Sequence, residues 1–309
     1  MYGEQEKKVT GREQKATSDM AEAVQKCKGS PITDIAEAVQ KCKESPITDI
    51  ADPVRYESKA FVNSAFVEIT TGGRFDVQMQ YPPLGMKHAE PQCYVRKEVY
   101  EMLLQAAERL PNGYRFRIWD TWRPFALQKE LYEVYSQDII RDFNLADCTE
   151  EERKAVIRKF VSDPVADRDV PPVHTTGGAV DLTILDENGR ELPMGTAFDA
   201  FTDKTNTAYY EKISLGGDEG SGVNGESDGN DRGKADDRNG RDDREIRENR
   251  RLLYHIMTEA GFTNLPSEWW HFDYGDRFWG YYKGKPAIYR GVFTREEIHG
   301  DGQQGKTGN

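Results

Sequence analysis

Two hydrophobic periodicities are interspersed along the chain. Alternating apolar and polar positions predict strands at residues 60–67, 74–78, 114–119, 179–185 and 269–274. Apolar residues at helical spacing predict helices at residues 95–110, 124–135, 150–160 and 246–260. Strands and helices do not follow each other with the regular cadence of a doubly wound parallel sheet. The pattern therefore favours an α+β fold.

A tandem repeat precedes this region. Residues 21–35, AEAVQKCKGSPITDI, recur at 36–50 as AEAVQKCKESPITDI, and Gly29 against Glu44 is the one difference. Each unit predicts a short helix closed by Ser-Pro, and two units are fewer than the roughly three that a solenoid needs. We interpret residues 1–55 as an N-terminal appendage. Its cysteines, Cys27 and Cys42, are then copies of one residue, with a metal or disulfide role as the alternative.

The hydrophobic pattern stops between residues 216 and 245. This segment is rich in Gly, Asp and Arg, and its apolar residues are Val223 and Ala235. It buries too little surface to offset its ordering entropy, so we predict a disordered insertion. A calcium-binding loop is the alternative, although the spacing from Asp228 lacks the closing Glu of such loops. Residues 296–309 are predicted to form a flexible tail.

Composition narrows the class of protein. The chain has 309 residues, 37% of them hydrophobic, with a formal net charge of −12. An acidic balance argues against nucleic acid or an anionic membrane as the partner, and no apolar run approaches the ~18–20 residues of a bilayer span. No secretory signal is visible at the N-terminus, and four cysteines do not make a disulfide framework. We expect a reduced, cytoplasmic protein, and its oligomeric state is left open.

Three short stretches combine polar residues with tight turns or packing anchors: WDTWRP at 119–124, HTTGGAVDLT at 174–183 and EWWH at 268–271. In the second stretch, Asp181 lies inside an apolar strand, where an unpaired carboxylate is costly. The Gly177-Gly178 pair allows the chain to turn tightly, so that the preceding histidine can fold back over this strand.

Two histidines and one carboxylate are the ligand set of many catalytic zinc sites, and they leave a fourth position for water. His174, Asp181 and His271 supply that set here, and Glu268 is then well placed to act as a base. Simpler interpretations stay open: Asp181 could cap or pair with an arginine, and Arg123 could be an ordinary charge at a helix entry. The remaining histidines are interpreted as surface or core residues: His88, His255 and His299.

Taken in order, the motifs W-D-x-W-R-P, H-x-x-G-x-A-x-D and E-W-W-H resemble those of the D-alanyl-D-alanine dipeptidases. This zinc peptidase family includes the vancomycin-resistance dipeptidase. The resemblance extends to LPMGTAFD at 192–199 and covers residues 56–295, interrupted by the Gly/Asp-rich segment. It implies a catalytic domain at 56–295 with a small central antiparallel sheet flanked by helices, in a hedgehog-like fold.

The resemblance also implies an activity, the hydrolysis of D-Ala-D-Ala to two D-alanines with one Zn²⁺ per chain. It assigns the zinc ligands to His174, Asp181 and His271, the general base to Glu268, the transition-state cation to Arg123 and the site for the substrate's free amino group to Asp199. The family often has Ser two residues before the first histidine, where this chain has Pro172. That departure affects fine substrate preference rather than the metal site.

Other functions remain open at this point. The same zinc scaffold resembles D,D-carboxypeptidases and peptidoglycan endopeptidases, which act on longer wall peptides, and some relatives are non-catalytic zinc-binding modules. The presence of both Glu268 and Arg123 argues against a purely structural zinc, which needs neither. The biological role implied is either glycopeptide resistance or recycling of wall peptides.

Overall fold

The computed structural model describes residues 35–213 and 238–300. The helices are α1 (Ile35–Glu44), α2 (Lys97–Glu108), α3 (Phe125–Asp142), α4 (Glu150–Ile157), α5 (Arg238–Glu259), α6 (Arg277–Lys283) and α7 (Arg295–Gly300). The strands are β1 (Phe66–Ile69), β2 (Phe75–Val77), β3 (Cys93–Arg96), β4 (Arg115–Asp120), β5 (Ala179–Leu185), β6 (Thr263–Asn264) and β7 (His271–Asp273). The mixed α+β architecture predicted from the sequence is confirmed.

A five-stranded sheet with strand order β2-β4-β5-β7-β6 forms the centre of the fold. Its β4–β5, β5–β7 and β6–β7 pairs are antiparallel, as expected, but β2 pairs in parallel with β4. The chain passes from β2 to β4 through helix α2, and a helical crossover returns the chain in the same direction. The expectation of an antiparallel sheet is therefore wrong at this edge. Strands β1 and β3 form a separate antiparallel pair.

Strand β5 is buried on both faces, and the two faces differ in kind. Val180, Leu182 and Ile184 belong to the main hydrophobic cluster, together with apolar residues of α2 and α5. Asp181 and Thr183, which alternate with them, point to the other face of the sheet. The sheet thus places a carboxylate in its own interior, where it needs compensating partners.

The second repeat, within the predicted N-terminal appendage at residues 1–55, packs on the rest of the molecule. Cys42 of α1 lies in the main hydrophobic cluster. The side chain of Arg251, in α5, donates to the carbonyl of Lys43 at 3.0 Å, and His255 Nε2 lies 2.8 Å from the carbonyl oxygen of Ser45. Helix C-terminal carbonyls need such partners, which α5 supplies. The first repeat, with Cys27, lies outside the described residues.

Two other segments are more ordered than predicted. Helix α5 begins at Arg238, so the prediction of disorder is wrong for 238–245, whereas 214–237 lie outside the described residues. Opposite charges recur there four residues apart, as in Arg244 and Glu248, a spacing that supports helices. In the predicted tail, α7 covers residues up to 300, and Glu297 pairs with Arg168 at 2.6 Å. Residues 301–309 are not described.

None of the described helices is both long and apolar enough to cross a bilayer. His88 is half exposed and lies 2.9 Å from Glu130, as expected of a surface histidine. His255, in contrast, is a contact between α5 and the second repeat rather than part of a solvated helix face. The side chain of His299 lies outside the described residues.

Candidate active site

Strands β4 and β5 bring two carboxylates together on one face of the sheet. Ile118 pairs with Leu182, but the next pair is Asp120 with Asp181, so Trp119 is an extra residue that forms a β-bulge. Both carboxylates are almost fully buried. Two buried like charges at opposing positions are unstable without nearby cations or proton-bearing partners. Those partners come from three other segments of the chain.

His174 reaches this face through a short 3-10 helix, Val173–Thr176. The helix ends at Gly177, whose φ of 74° is in the left-handed region, and a Cβ there would lie 2.3 Å from the ring of Phe66. A Cβ on Gly178 would lie 2.3 Å from the carbonyl oxygen of Tyr274. The two glycines are therefore needed for this close turn, as the sequence indicated. The turn leaves His174 Nδ1 2.8 Å from the carbonyl oxygen of Thr121.

His174, Asp181 and His271, hereafter the metal triad, form a compact set of donor atoms. His174 Nε2 lies 3.2 Å from His271 Nδ1 and 3.3 Å from Asp181 Oδ2, and His271 Nδ1 lies 2.9 Å from Asp181 Oδ1. Tetrahedral zinc with bonds of ~2.0–2.1 Å requires donors about 3.3 Å apart. The donor types and spacings fit this ion, and within the described ranges no other His, Cys, Asp or Glu group is arranged to hold a metal.

Electrostatics favour the ligand form of the carboxylate. Burial opposes its charge, but His174 and His271 outweigh burial and hold the pKa of Asp181 well below its ordinary range. Burial likewise opposes a charge on His271, yet Asp273 and Asp181 raise the pKa of this histidine well above its ordinary value. A divalent cation bound by these groups would take the place of a proton on His271.

Glu268 lies in the turn before β7, where its backbone N–H donates to the carbonyl of Leu265. Its Oε2 is 3.8 Å from His271 Nδ1, beyond hydrogen-bond distance and beside the metal triad. Burial is the main cause that raises the pKa of Glu268 to about 8. The two tryptophans that follow are buried, and Trp269 Nε1 donates to Thr196 Oγ1 at 2.8 Å, which fixes this turn.

Arg123 is held rigidly just after β4. Its Nε and Nη2 donate to Asp120 Oδ2 at 3.0 and 2.7 Å, and its Nη1 donates to Gln128 Oε1 at 2.7 Å. Its Nη2 also donates to the Tyr81 hydroxyl at 3.2 Å. Burial opposes the charge, but Tyr81, Asp120 and Asp181 raise the pKa of Arg123 above its ordinary value. The site therefore contains a permanent, oriented cation.

Asp199 completes the wall opposite the metal triad. Its φ is 54°, a left-handed conformation that Asp tolerates better than most residues. The hydroxyls of Tyr81 and Tyr135 both donate to Asp199 Oδ2 at 2.9 Å. Burial is the main cause that raises the pKa of Asp199 to about 6, with Asp181 adding to it and Arg123 opposing it. We call Tyr81, Tyr135 and Asp199 the tyrosine wall.

Tyr81, Tyr135 and Gln128 were missed in the sequence. Tyr81 follows β2 and the other two belong to α3, a helix that the apolar pattern had already predicted. Tyrosines and glutamines are common on helices and loops, and no motif distinguishes these three. Their role is visible only through their contacts with Arg123 and Asp199.

The metal triad and the tyrosine wall line one cavity of about 50 Å³. All six site residues predicted from the sequence line it: Arg123, His174, Asp181, Asp199, Glu268 and His271. Pro172 also lines the cavity, at the position where the resemblance implied a hydroxyl, and Ser162 lines it from the segment after α4. Two histidines, three carboxyl side chains and one arginine therefore surround one small space.

Comparisons with known proteins agree with this geometry. The sequence profile of a peptidase family described as D-ala-D-ala dipeptidase matches residues 86–219 and 231–286, more than half of the chain. The chain is also 27% identical over 210 residues to a D-alanyl-D-alanine dipeptidase of Synechocystis sp., an alignment that covers 65% of this chain and 77% of that protein. It is 30% identical over 125 residues to a D-alanyl-D-alanine dipeptidase of Escherichia coli (strain K12), covering 40% of this chain and 49% of that protein.

Proposed function

The chain belongs to the D-ala-D-ala dipeptidase family of metallopeptidases, and from this premise we propose that it hydrolyses D-Ala-D-Ala to two D-alanines with one zinc ion bound by the metal triad. The observation that carries the proposal is a single cavity lined by the metal triad together with Glu268, Arg123 and Asp199. The carboxylate of Asp199 in this cavity favours a dipeptide, whose free α-amino group it can bind, over the longer wall peptides of D,D-carboxypeptidases and endopeptidases.

The donor set supports zinc. Two imidazoles and one carboxylate, with separations of 2.9 to 3.3 Å, match a three-ligand catalytic site. When bound, zinc polarises the scissile carbonyl and makes a water molecule more acidic. The other steps of the reaction depend on side chains of the chain itself.

Glu268 is the proposed general base. It lies beside the metal triad without belonging to it, at 3.8 Å from His271 Nδ1. A carboxylate whose pKa is raised towards the working pH accepts a proton from the attacking water and later releases it to the departing amine. One water molecule is consumed, the peptide bond breaks, and each product is a free D-alanine.

Arg123 and Asp199 are proposed to act on the substrate. Arg123 places a fixed positive charge where the carbonyl oxygen becomes negative, and its contacts to Asp120 and Gln128 prevent it from moving away. Asp199 binds the free α-amino group through the oxygen that the two tyrosines leave open, because both hydroxyls occupy Oδ2. This restricts the substrate to peptides whose first residue has a free amino group.

The proposal is tested by measuring release of free D-alanine from D-Ala-D-Ala by the purified full chain, with and without a chelator. L-Ala-L-Ala and N-acetyl-D-Ala-D-Ala serve as matched substrates. We expect release from D-Ala-D-Ala alone, its loss with chelator and its recovery on addition of Zn²⁺. Bound zinc without release from any dipeptide would refute the proposal and favour a longer substrate or a non-catalytic zinc-binding module.

A further inference from the structure

We propose that Asp273 is a positioning residue that holds His271 in the one tautomer able to bind a metal through Nδ1. This inference rests on the proposed zinc site but concerns a residue outside the ligand set. Asp273 Oδ1 lies 2.8 Å from His271 Nε2, on the opposite side of the ring from the other two members of the metal triad.

The local structure explains how the two side chains meet. His271 and Asp273 are the first and last residues of β7, and residues two apart in a strand project to the same side. Both pair with β5, where His271 lies opposite Asp181 and Asp273 opposite Ala179. The small side chain of Ala179 leaves the carboxylate next to the imidazole ring.

The position of the proton follows from the partners of each ring nitrogen. A carboxylate accepts hydrogen bonds only, so Nε2 must carry the hydrogen that Asp273 receives. The other nitrogen, Nδ1, lies 3.2 Å from His174 Nε2 and 2.9 Å from Asp181 Oδ1. A cation bound by the metal triad would take the place of any hydrogen on Nδ1, while Nε2 keeps its hydrogen for Asp273. A hydrogen bond from the distal nitrogen to a carboxylate also makes a ligating imidazole more basic.

Apart from His271, the side chain of Asp273 interacts with Asp276, whose pKa is held well above its ordinary value by burial and by Asp273. Asp273 is fully buried, its Oδ2 makes no hydrogen bond, and its ion pair is with His271 rather than with a lysine or arginine. The neighbouring Asp276, by comparison, caps α6 by accepting from the N–H groups of Phe278 and Trp279 at 3.0 Å. A buried carboxylate is costly, and among the described residues the ion pair that offsets this cost is the one with His271.

The two histidines of the metal triad are therefore oriented by different acceptors. His174 Nδ1 lies 2.8 Å from the backbone carbonyl oxygen of Thr121, with Asp120 Oδ2 farther away at 3.3 Å, whereas His271 Nε2 has the carboxylate of Asp273 at 2.8 Å. A backbone carbonyl is not removed by substitution of a side chain, but Asp273 is. The contribution of the outer partner can thus be measured at one histidine while the other stays unchanged.

The test compares Asp273→Asn and Asp273→Ala with a matched control, Asp186→Asn, which alters a buried carboxylate that binds Arg190 after β5. Zinc affinity is measured by competition with a chromophoric chelator, and the melting temperature of the metal-free protein reports on folding. We expect zinc affinity to fall about 10- to 100-fold in both Asp273 variants, and to stay unchanged in the control. The asparagine can turn its NH₂ towards Nε2 and so favour the wrong tautomer.

A spectroscopic readout separates positioning from stability. Long-range ¹H–¹⁵N correlation spectra of the zinc-loaded wild-type chain should place the His271 proton on Nε2. A proton on Nδ1, or wild-type zinc affinity in a folded Asp273→Asn variant, would overturn the inference. If Asp273→Ala does not fold, the asparagine variant and the spectrum decide. Neither readout uses substrate, so a chain that binds zinc in this way but releases no D-alanine would refute only the proposed function.

Discussion

The two sides of the cavity hold buried carboxylates in opposite electrostatic states. In the metal triad, Asp181 lies between two histidines, which keep its pKa well below the ordinary range despite burial. In the tyrosine wall, Asp199 receives hydrogen bonds from neutral phenols, and burial raises its pKa to about 6. The same residue type thus has a lowered pKa on one side of the cavity and a raised pKa on the other.

This difference shows that partners decide the chemistry of a buried carboxylate more than burial itself. Cationic or metal-binding neighbours stabilise the anion permanently, whereas hydroxyl donors stabilise it only in part. Arg123 links the two sides, because its pKa cannot fall within the working range and its Nη2 reaches the hydroxyl of Tyr81. Substitutions in the metal triad should therefore change zinc content, whereas substitutions in the tyrosine wall should change substrate binding and its pH dependence.

The largest effect is expected for Asp181→Ala. Removing the carboxylate takes one of three metal ligands and leaves His271 with one anionic partner fewer. We expect loss of bound zinc and of D-alanine release to the uncatalysed background. Metal analysis after dialysis checks this, with Asp199→Ala as the matched control that retains zinc. Equal zinc content in both variants would show that Asp181 and Asp199 do not differ in metal binding, contrary to the proposal.

The next effect is expected for Glu268→Gln. The amide keeps the shape of the side chain but cannot accept a proton, so kcat should fall by about 10²–10⁴-fold. Zinc content should stay at the wild-type value, since Glu268 Oε2 lies 3.8 Å from His271 Nδ1 and outside the metal triad. Loss of the metal in this variant would mean that Glu268 is a ligand and that its assignment as a base is wrong.

Arg123→Lys tests the cation that joins the two sides. A lysine keeps the charge but not the fork that binds Asp120 and Gln128 together. We expect kcat to fall by about 10²–10³-fold, as for loss of one oriented donor to a developing oxyanion. The KM for D-Ala-D-Ala should change much less, and a change confined to KM would place Arg123 in ground-state binding instead.

Asp199→Asn is expected to act on substrate binding and on its pH dependence. In the wild type, kcat/KM for D-Ala-D-Ala should rise as the pH increases through about 6, because only the ionised carboxylate pairs with an ammonium group. The asparagine variant should lose this step and show a raised KM. A retained step at the same pH in the variant would assign the titration to another group.

The raised pKa of Asp199 also predicts a small effect on the free energy of unfolding. A carboxyl with a raised pKa in the folded state binds a proton that the unfolded chain has released, so its contribution to the free energy of unfolding falls as the pH rises from about 4 to 6. Asp199→Asn should flatten the dependence of chemical denaturation on pH over this window. An unchanged dependence would show that Asp199 does not titrate there.

The smallest effect is expected for Tyr135→Phe. Asp199 Oδ2 then keeps one of its two phenol donors, that of Tyr81. One such hydrogen bond contributes about 1 kcal/mol, so KM should rise roughly fivefold, with zinc content and kcat near the wild-type values. The pH step of kcat/KM should move upwards, because one donor to the carboxylate is lost. A downward shift would contradict the assigned hydrogen bond.

The sequence alone determined the parts of the molecule that depend on local pattern. The alternation at 179–185 predicted β5 with the bounds that the structure shows. A carboxylate inside so apolar a strand identified Asp181 as a candidate site residue. The glycine pair after His174 predicted the tight turn, since no side chain fits there. Motif order identified the family and the six residues that now line the cavity, because motifs preserve the reactive groups themselves.

Only the tertiary structure decided the partners that come from distant segments. The β-bulge at Trp119 sets Asp120 opposite Asp181, and the tyrosine wall joins the segment after β2, helix α3 and the loop after β5. The packing of α1 on α5 was likewise invisible, since an amphipathic helix does not reveal which surface it binds. Local pattern fixes which groups are present, whereas burial and long-range pairing fix their charge and orientation.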